Sequence, residues 1–286
     1  MLRISILETI NWPGADLTGK RKLTGDDRFG FDETIGTAWV MDGATDLGPF
    51  RIFETDESDA AWIAQALTDA LMFSPPAPDE DITPYFSRVL KDVRDKAEQA
   101  SRVEIDAAPK SVWPIASGMW MRFRDGKTEF AWLGDCVALI LPPEAPLEIL
   151  TKHDQSDLET RTSRELNAMA PEDRLEGLRK IRETQNTEPD HALFGLSPHA
   201  VDNLEIAVRD LPVGTTVFLM SDGLWRVVDP YQMMTADEMM TTVLDYGLVP
   251  LMRQMRAFEN GDDQDASTRI KKTDDASGVL LRVIET

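Results

Sequence analysis

The sequence predicts an α+β fold, and three observations predict it. Apolar residues recur at helical spacing in a few confined stretches, short apolar runs bounded by turn residues carry strand signatures elsewhere, and the two kinds of segment are segregated along the chain. Residues 28–31 and 37–41 read as the first strands. Ala60, Ile63, Ala64, Leu67, Ala70 and Leu71 then follow Ser58, a residue type suited to capping a helix. The Pro-rich stretch Ser74-Pro75-Pro76-Ala77-Pro78 is a loop, and Phe86, Val89, Leu90, Val93 and Ala97 mark a second helix, so an antiparallel helix pair is expected. Strands follow at 118–123 and 128–133. The Asp125-Gly126 pair between them is a hairpin signal, because a type I′ turn needs positive φ, so the sheet is at least partly antiparallel. Val137–Leu141, Thr216–Met220 and 278–283 complete the predicted strands. Later helices carry Leu175, Leu178 and Ile181; Met239, Met240, Val243 and Leu244 behind Thr235; and Leu251, Met252 and Met255.

Composition narrows the function classes. The chain has 286 residues, enough for one large or two small domains at about 150 residues each, and 42% are apolar, so a sizeable core is available. Its one cysteine, Cys136, cannot form an internal disulfide, and the N-terminal residues lack the apolar run and cleavage site of a signal peptide. A cytoplasmic location is the expectation. No stretch approaches the roughly 18 apolar residues of a membrane span. A net charge of −21 repels nucleic-acid phosphates and anionic lipid, and draws cations. Metal ions are therefore expected partners, and nucleic acid and membranes are not.

Several residue patterns carry less than they suggest. Gly14-Ala15-Asp16-Leu17-Thr18-Gly19-Lys20 matches most of a P-loop, but Arg21 stands where Mg²⁺ needs a hydroxyl and no helix follows, so it reads as a surface loop. His153, His191 and His199 have no metal-ligand spacing and read as loop or capping residues. Cys136 fits a half-buried strand position with no basic neighbour to activate it. Met233, Met234, Met239 and Met240 read as core packing under the last helices, or else as a Met-rich partner groove.

The informative feature is where the aspartates stand. Three apolar strands end beside glycine in Asp42-Gly43, Gly134-Asp135 and Ser221-Asp222-Gly223, while Asp26-Asp27 and Asp274-Asp275 each stand just before a strand. Pairing 28–31 with 37–41 around the turn between them makes residues whose numbers sum to about 69 face each other, which sets Asp27 opposite Asp42. Carboxylates gathered at one sheet end repel unless protonated or neutralised. Hard divalent ions such as Mg²⁺ and Mn²⁺ prefer carboxylate, carbonyl and water oxygens, and glycine beside aspartate lets a backbone carbonyl approach the same ion. A single Asp-Gly at a strand end is an ordinary turn; five such positions point to a metal.

The order of these segments is similar to the motif series of the metal-dependent PPM-type (type 2C) serine/threonine protein phosphatases. The series here runs Asp26-Asp27-Arg28, Trp39-Val40-Met41-Asp42-Gly43, Leu133-Gly134-Asp135, Leu219-Met220-Ser221-Asp222-Gly223-Leu224-Trp225 and Asp274-Asp275-Ala276-Ser277. Ser-Asp-Gly-Leu-Trp is its most specific piece. Ala116-Ser117-Gly118 and Leu150-Thr151-Lys152-His153-Asp154 match weaker elements, and Phe194-Gly195-Leu196 sits where the family has a loop before its late strands. The resemblance covers the chain nearly end to end. It implies one bacterial-like domain over 1–286, folded as a four-layer α-β-β-α sandwich of two mainly antiparallel sheets flanked by helices, with a centre of two Mn²⁺ or Mg²⁺ ions at one end.

Carried over residue by residue, the resemblance implies that Asp42 bridges both ions, that Gly43 offers its carbonyl to one, and that Asp222 and Asp274 bind the other. Asp26 or Asp27 would hold the second ion largely through water, and Asp135 matches a third, weaker site of bacterial relatives. The implied activity is hydrolysis of phosphoserine or phosphothreonine monoesters on a protein, by a metal-activated water and without a phosphoenzyme. Two ions about 3.5–4 Å apart position phosphate and lower the pKa of a bridging water.

This sequence also departs from the family. After Asp42-Gly43 it reads Ala44-Thr45-Asp46-Leu47-Gly48 instead of His or Met followed by two glycines, so the histidine proposed as general acid is absent and proton delivery is unassigned. The phosphate-binding arginine falls on Lys22, with Arg21 adjacent; either could meet phosphate, but lysine lacks arginine's bidentate fork. Residues 156–190 are highly charged and partly helical, and read as a substrate-facing flap or a solvated insertion. These departures keep two rivals in view: a pseudophosphatase that binds a partner without turnover, and a small-molecule phosphatase or nuclease, the nuclease being opposed by the charge.

Overall fold

The structure is a computed structural model that describes residues 2–16, 18–151, 169–261 and 273–285. Two antiparallel sheets lie face to face. One contains β1 (Leu2–Trp12), β11 (Ala276–Glu285), β10 (Thr216–Met220), β6 (Val137–Leu141) and β7 (Glu148–Leu150), in that order. The other runs β2 (Arg28–Asp32), β3 (Thr37–Gly43), β4 (Ile115–Arg124), β5 (Lys127–Leu133) and β9 (Glu205–Arg209), with the short β8 (Phe194–Gly195) also on β4.

The period of two along each strand builds three apolar layers. Ala38 and Val40 of β3 meet Val217 and Leu219 of β10 and Val279 and Leu281 of β11 between the sheets. Trp39 and Met41 point the other way, onto α1 (Asp59–Phe73) and α2 (Ile82–Ala100). Phe218 and Met220 face α5 (Ala236–Tyr246) and α6 (Leu248–Glu259). The result is a four-layer α-β-β-α sandwich, and the central strands read as continuous apolar runs because both of their faces are covered.

Local chemistry starts the helices where the sequence signals it. Ser58 Oγ accepts from the Ala61 amide at 2.9 Å, and Thr235 closes a reciprocal capping box with Glu238. The hairpin turn has φ 52° at Asp125 and 81° at Gly126, the positive values its Asp-Gly pair predicts. Two of the seven expected strands, 137–141 and 216–220, match outright, and the other five lie within strands longer by one to four residues.

Strand β1 has no clear signature in the sequence, and a bulge explains why. Ile6 pairs with Leu281 but Glu8 with Leu280, leaving Leu7 as an extra residue. The two halves of the strand therefore face opposite ways: Ile4 packs between the sheets, whereas Ile10, also even-numbered, packs under α5 and α6. No single alternation runs through the segment. The other unanticipated strands, β7, β8 and β9, are short, and β9 exposes Ile206 and Val208 at a sheet edge. Phe194-Gly195, expected in a loop, pairs with β4.

One further expectation changes. Cys136 is fully buried in the inter-sheet core instead of half-buried, and burial pushes its thiol well above the ordinary range. Helix α3 (Pro171–Thr187) has Arg182 and Asn186 buried. The rest of the anticipated flap up to residue 168, and His153, lie outside the described residues. Ala15 and Arg21 form an isolated antiparallel bridge. Among the described residues no helix is long and apolar enough to cross a membrane.

Candidate metal centre

The acidic positions meet because the strands that carry them end at the same edge of the sandwich. Pairing of Arg28 with Met41 continues one step to set Asp27 across from Asp42 at the end of β3. Pairing of Gly118 with Leu133 brings the end of β5, and hence Asp135, to that edge. In the facing sheet Met220 pairs with Gly278, so Asp222, which opens the short helix α4 (Asp222–Trp225), stands beside the start of β11 and Asp274. The Ser221 amide donates to the Ser277 carbonyl and the Ser277 amide to Ser221 Oγ, both at 3.0 Å, tying the two segments.

Two glycines permit the close approach. A Cβ on Gly43 would lie 2.6 Å from the Ala60 carbonyl oxygen and 2.8 Å from that of Asp26, so the Asp42 loop fits against α1 and Asp26 only without a side chain. A Cβ on Gly223 would collide with the Asp275 carbonyl oxygen.

Each carboxylate has a different set of partners. Asp275 accepts from the Gly14 amide at 2.6 Å, the Asp26 amide at 2.9 Å and Lys22 Nζ at 2.7 Å. Asp26 is bound by Lys22 Nζ and by the Ser58 hydroxyl. Asp274 accepts from Arg226 Nη2 at 2.7 Å, and the same nitrogen stands 3.7 Å from Asp222. Asp27 differs. It is 0% exposed, and neither of its carboxyl oxygens has a hydrogen-bond partner. Its backbone is nevertheless fixed, since Asn11 Nδ2 and Arg28 Nη1 donate to its carbonyl at 3.0 and 2.8 Å.

The electrostatics follow from that crowding. Burial first, then the charges of Asp275, Asp274 and Asp222, push the Asp27 carboxyl up to about 8, while the nearby Ser221 hydroxyl pulls the other way without reaching hydrogen-bond geometry. Asp42 is raised well above its ordinary value, by burial and then by Asp27 and Asp222. Asp222 is raised by burial, against the pull of Arg226. The Asp222 and Asp274 side chains keep 20% and 13% of their surface open, so the centre has a solvent-facing side although the surrounding protein strips most water from its charges. Asp135 is partly exposed at the rim and adds to the field on Asp222.

A divalent cation fits part of this arrangement. The two unpartnered oxygens of buried Asp27, next to Asp42 and its neighbouring Gly43 carbonyl, are a hard-oxygen donor set that lacks its counter-charge. Elsewhere the chain supplies its own cations, Lys22 and Arg226. Among the described residues no three His, Cys, Asp or Glu stand together as a ready-made metal-ligand cluster.

Sequence reasoning missed Arg226 and Arg182, and singled out Asp275 only as the neighbour of Asp274. Arg226 was visible as an i,i+4 partner of Asp222. Arg182 had no local signal: from α3 its Nη2 donates to the carbonyls of Ala44 and Thr45 at 3.3 and 3.2 Å, and Arg179 Nε donates to that of Leu47 at 3.1 Å. The loop that replaces the histidine-containing pattern is thus held by a helix far along the chain. Asp46 from the same loop accepts from the Asp59 and Ala60 amides at 3.0 Å and caps α1. The described histidines, His191 and His199, sit in exposed turns beside Glu188 and Asp202.

Comparison with solved structures gives the class. The chain superposes on the catalytic domain of the serine/threonine protein phosphatase PstP in complex with two manganese ions, with 14% identity, a TM-score of 0.58 and full coverage of both chains. Mycobacterium tuberculosis PstP/Ppp matches at 14% identity and a TM-score of 0.56 over 99% of each chain. PppA of Pseudomonas aeruginosa, a regulatory component of T6SS, matches at 16% identity and 0.57 over 99% of this chain and 98% of its own. No family model and no curated protein matches the sequence. The chain therefore has the fold of the PPM-type serine/threonine phosphatases.

Proposed function

We propose that this chain is a divalent-metal-dependent phosphatase that hydrolyses phosphoserine or phosphothreonine monoesters of a protein in a reducing, cytoplasmic setting. The observation that carries the reading is the Asp27 carboxyl: fully buried, unpartnered and set beside Asp42 at the end of a phosphatase-type sandwich. Asp27, Asp42 and the Gly43 carbonyl are the proposed ligands of Mn²⁺ or Mg²⁺. Asp222 and Asp274 complete the acidic wall, Asp26 orients Lys22, and Asp135 stands at the rim. A bound ion would supply Lewis acidity, lowering the pKa of a coordinated water and offsetting phosphate charge.

The protein's own groups set the remaining chemistry. Lys22 Nζ, held by Asp26 and Asp275, is the cation placed to meet a phosphate oxygen as a point charge. Arg28 and Asn11 hold the Asp27 backbone still. Neither described histidine stands among the carboxylates; both sit in exposed turns beside Glu188 and Asp202.

Hydrolysis of a phosphothreonine peptide, with Mn²⁺ and with excess chelator, tests the reading in the wild type and in folded Asp42→Asn and Asp222→Asn variants. Turnover that requires Mn²⁺ and collapses in both variants is expected. Absence of turnover on several peptides despite measurable Mn²⁺ binding would refute the enzyme reading in favour of a partner-binding pseudophosphatase. Faster turnover of p-nitrophenyl phosphate than of any peptide would point to small substrates.

A further inference from the structure

Among the described residues two cations, Lys22 and Arg226, pair with carboxylates of the centre, and Arg226 stands where the resemblance places a metal ion. Arg226 lies one helical turn beyond Asp222, and its Nη2 is 2.7 Å from Asp274 and 3.7 Å from Asp222. These are the two carboxylates expected to share one ion. The residue's backbone is held in place, since the Arg226 amide donates to the Asp222 carbonyl at 3.0 Å and the Arg226 carbonyl accepts from the Tyr231 amide at 3.0 Å, and its side chain keeps 17% of its surface. A planar guanidinium, always charged and weakly hydrated, suits such an enclosed carboxylate pair.

The distribution of charge divides the centre in two. Lys22 is paired with Asp26 and Asp275, and Arg226 with Asp274 and Asp222. Among the described residues neither Asp27 nor Asp42 has a lysine, arginine or histidine within ion-pair distance, and both oxygens of Asp27 lack any hydrogen-bond partner. The half of the centre without a counter-charge is the half around Asp27, Asp42 and Gly43. A second divalent ion at Asp222 and Asp274 would have to displace a half-buried guanidinium from both.

We infer that Arg226 takes the place of one of the two divalent ions, so that the centre binds a single Mn²⁺ or Mg²⁺, through Asp27, Asp42 and the Gly43 carbonyl. The inference rests on the metal-dependent reading above and refines it. Arg226 supplies one positive charge where an ion would supply two, and it holds no water for attack. The single ion and Lys22 are then the groups left to meet phosphate, and Arg226 is a positioning residue that keeps Asp222 and Asp274 in place.

Mn²⁺ stoichiometry tests this without reference to activity. Metal-stripped wild type, Arg226→Lys and Arg226→Met are titrated calorimetrically, and the loaded proteins are read by electron paramagnetic resonance, which separates isolated Mn²⁺ from an exchange-coupled pair. The expected result is one ion with an isolated signal in wild type and Arg226→Lys, and two ions with a coupled signal in Arg226→Met. Two coupled ions in the wild type would overturn the inference while leaving the metal-dependent reading intact. So would a folded Arg226→Met that still binds one. If Arg226→Met fails to fold, the wild-type and Arg226→Lys stoichiometries decide. No Mn²⁺ binding by the wild type would remove both readings.

Discussion

Substituting Asp27 by asparagine should stabilise the metal-free protein and abolish its response to metal. The carboxyl is 0% exposed, has no hydrogen-bond partner, and is pushed from 3.8 up to about 8 by burial and by Asp275, Asp274 and Asp222. Below about pH 4 it is protonated in the folded and the unfolded chain alike. Between about 4 and about 8 only the folded chain keeps the proton, so stability drains as pH rises through that interval, by about 1.4 kcal/mol per unit and roughly 4 kcal/mol at pH 7. Asparagine keeps the shape and removes the charge, while leaving a buried amide short of partners at about 1–3 kcal/mol. The net expectation is a gain of about 1–3 kcal/mol in chelator at pH 7, or roughly 3–8 °C in melting temperature. Between pH 5 and 8 the wild type in chelator should lose stability with a slope the variant lacks. Mn²⁺ at 1,000 times its Kd should reverse the order, since it adds about 4.1 kcal/mol to the wild type alone. Thermal melts in chelator and in Mn²⁺ across that range measure all of this. A variant less stable than wild type in chelator at pH 8, or one that Mn²⁺ stabilises as strongly, refutes the reasoning.

Other perturbations separate the site from its scaffold. Gly43→Ala, whose Cβ meets the Ala60 and Asp26 carbonyl oxygens, should cost about 1–3 kcal/mol in urea melts and weaken Mn²⁺ binding measured calorimetrically. Arg182→Met removes two donors from the Ala44 and Thr45 carbonyls and should cost about 1–3 kcal/mol, with a further loss of Mn²⁺ affinity because the loop after Gly43 is no longer held. Phe86→Ala, which deletes a fully buried ring packed on Phe194 and Trp120 at 5.4 Å, should cost about 3–5 kcal/mol in urea while leaving Mn²⁺ stoichiometry unchanged.

Much of the sandwich was legible because its central strands are buried on both faces and its helices are amphipathic, so period alone locates them. Register was legible at one place that mattered: a short turn fixed which residues of β2 and β3 oppose, and with them Asp27 and Asp42. β1 escaped because the bulge at Leu7 breaks its alternation. At the centre the acidic positions could be found from strand ends, but their partners could not. Lys22 joins Asp275 across 253 positions, and Arg182 meets Ala44 across 138. Contacts of that span leave no local pattern, and a row of aspartates at strand ends does not say which of them the chain has already paired.

The arginines of α3 reach the loop after Gly43 through its carbonyl oxygens. Every amino acid carries that oxygen, so the grip is indifferent to what the loop spells and sensitive only to how many residues it spends between Gly43 and Leu47. Apart from Asp46, whose carboxylate caps α1, a loop clamped in this way can drift in identity while staying fixed in length. Single-residue insertions there should be far more damaging than substitutions at Thr45, and relatives with the same clamp should vary at the positions of Ala44 and Thr45 while agreeing on the count.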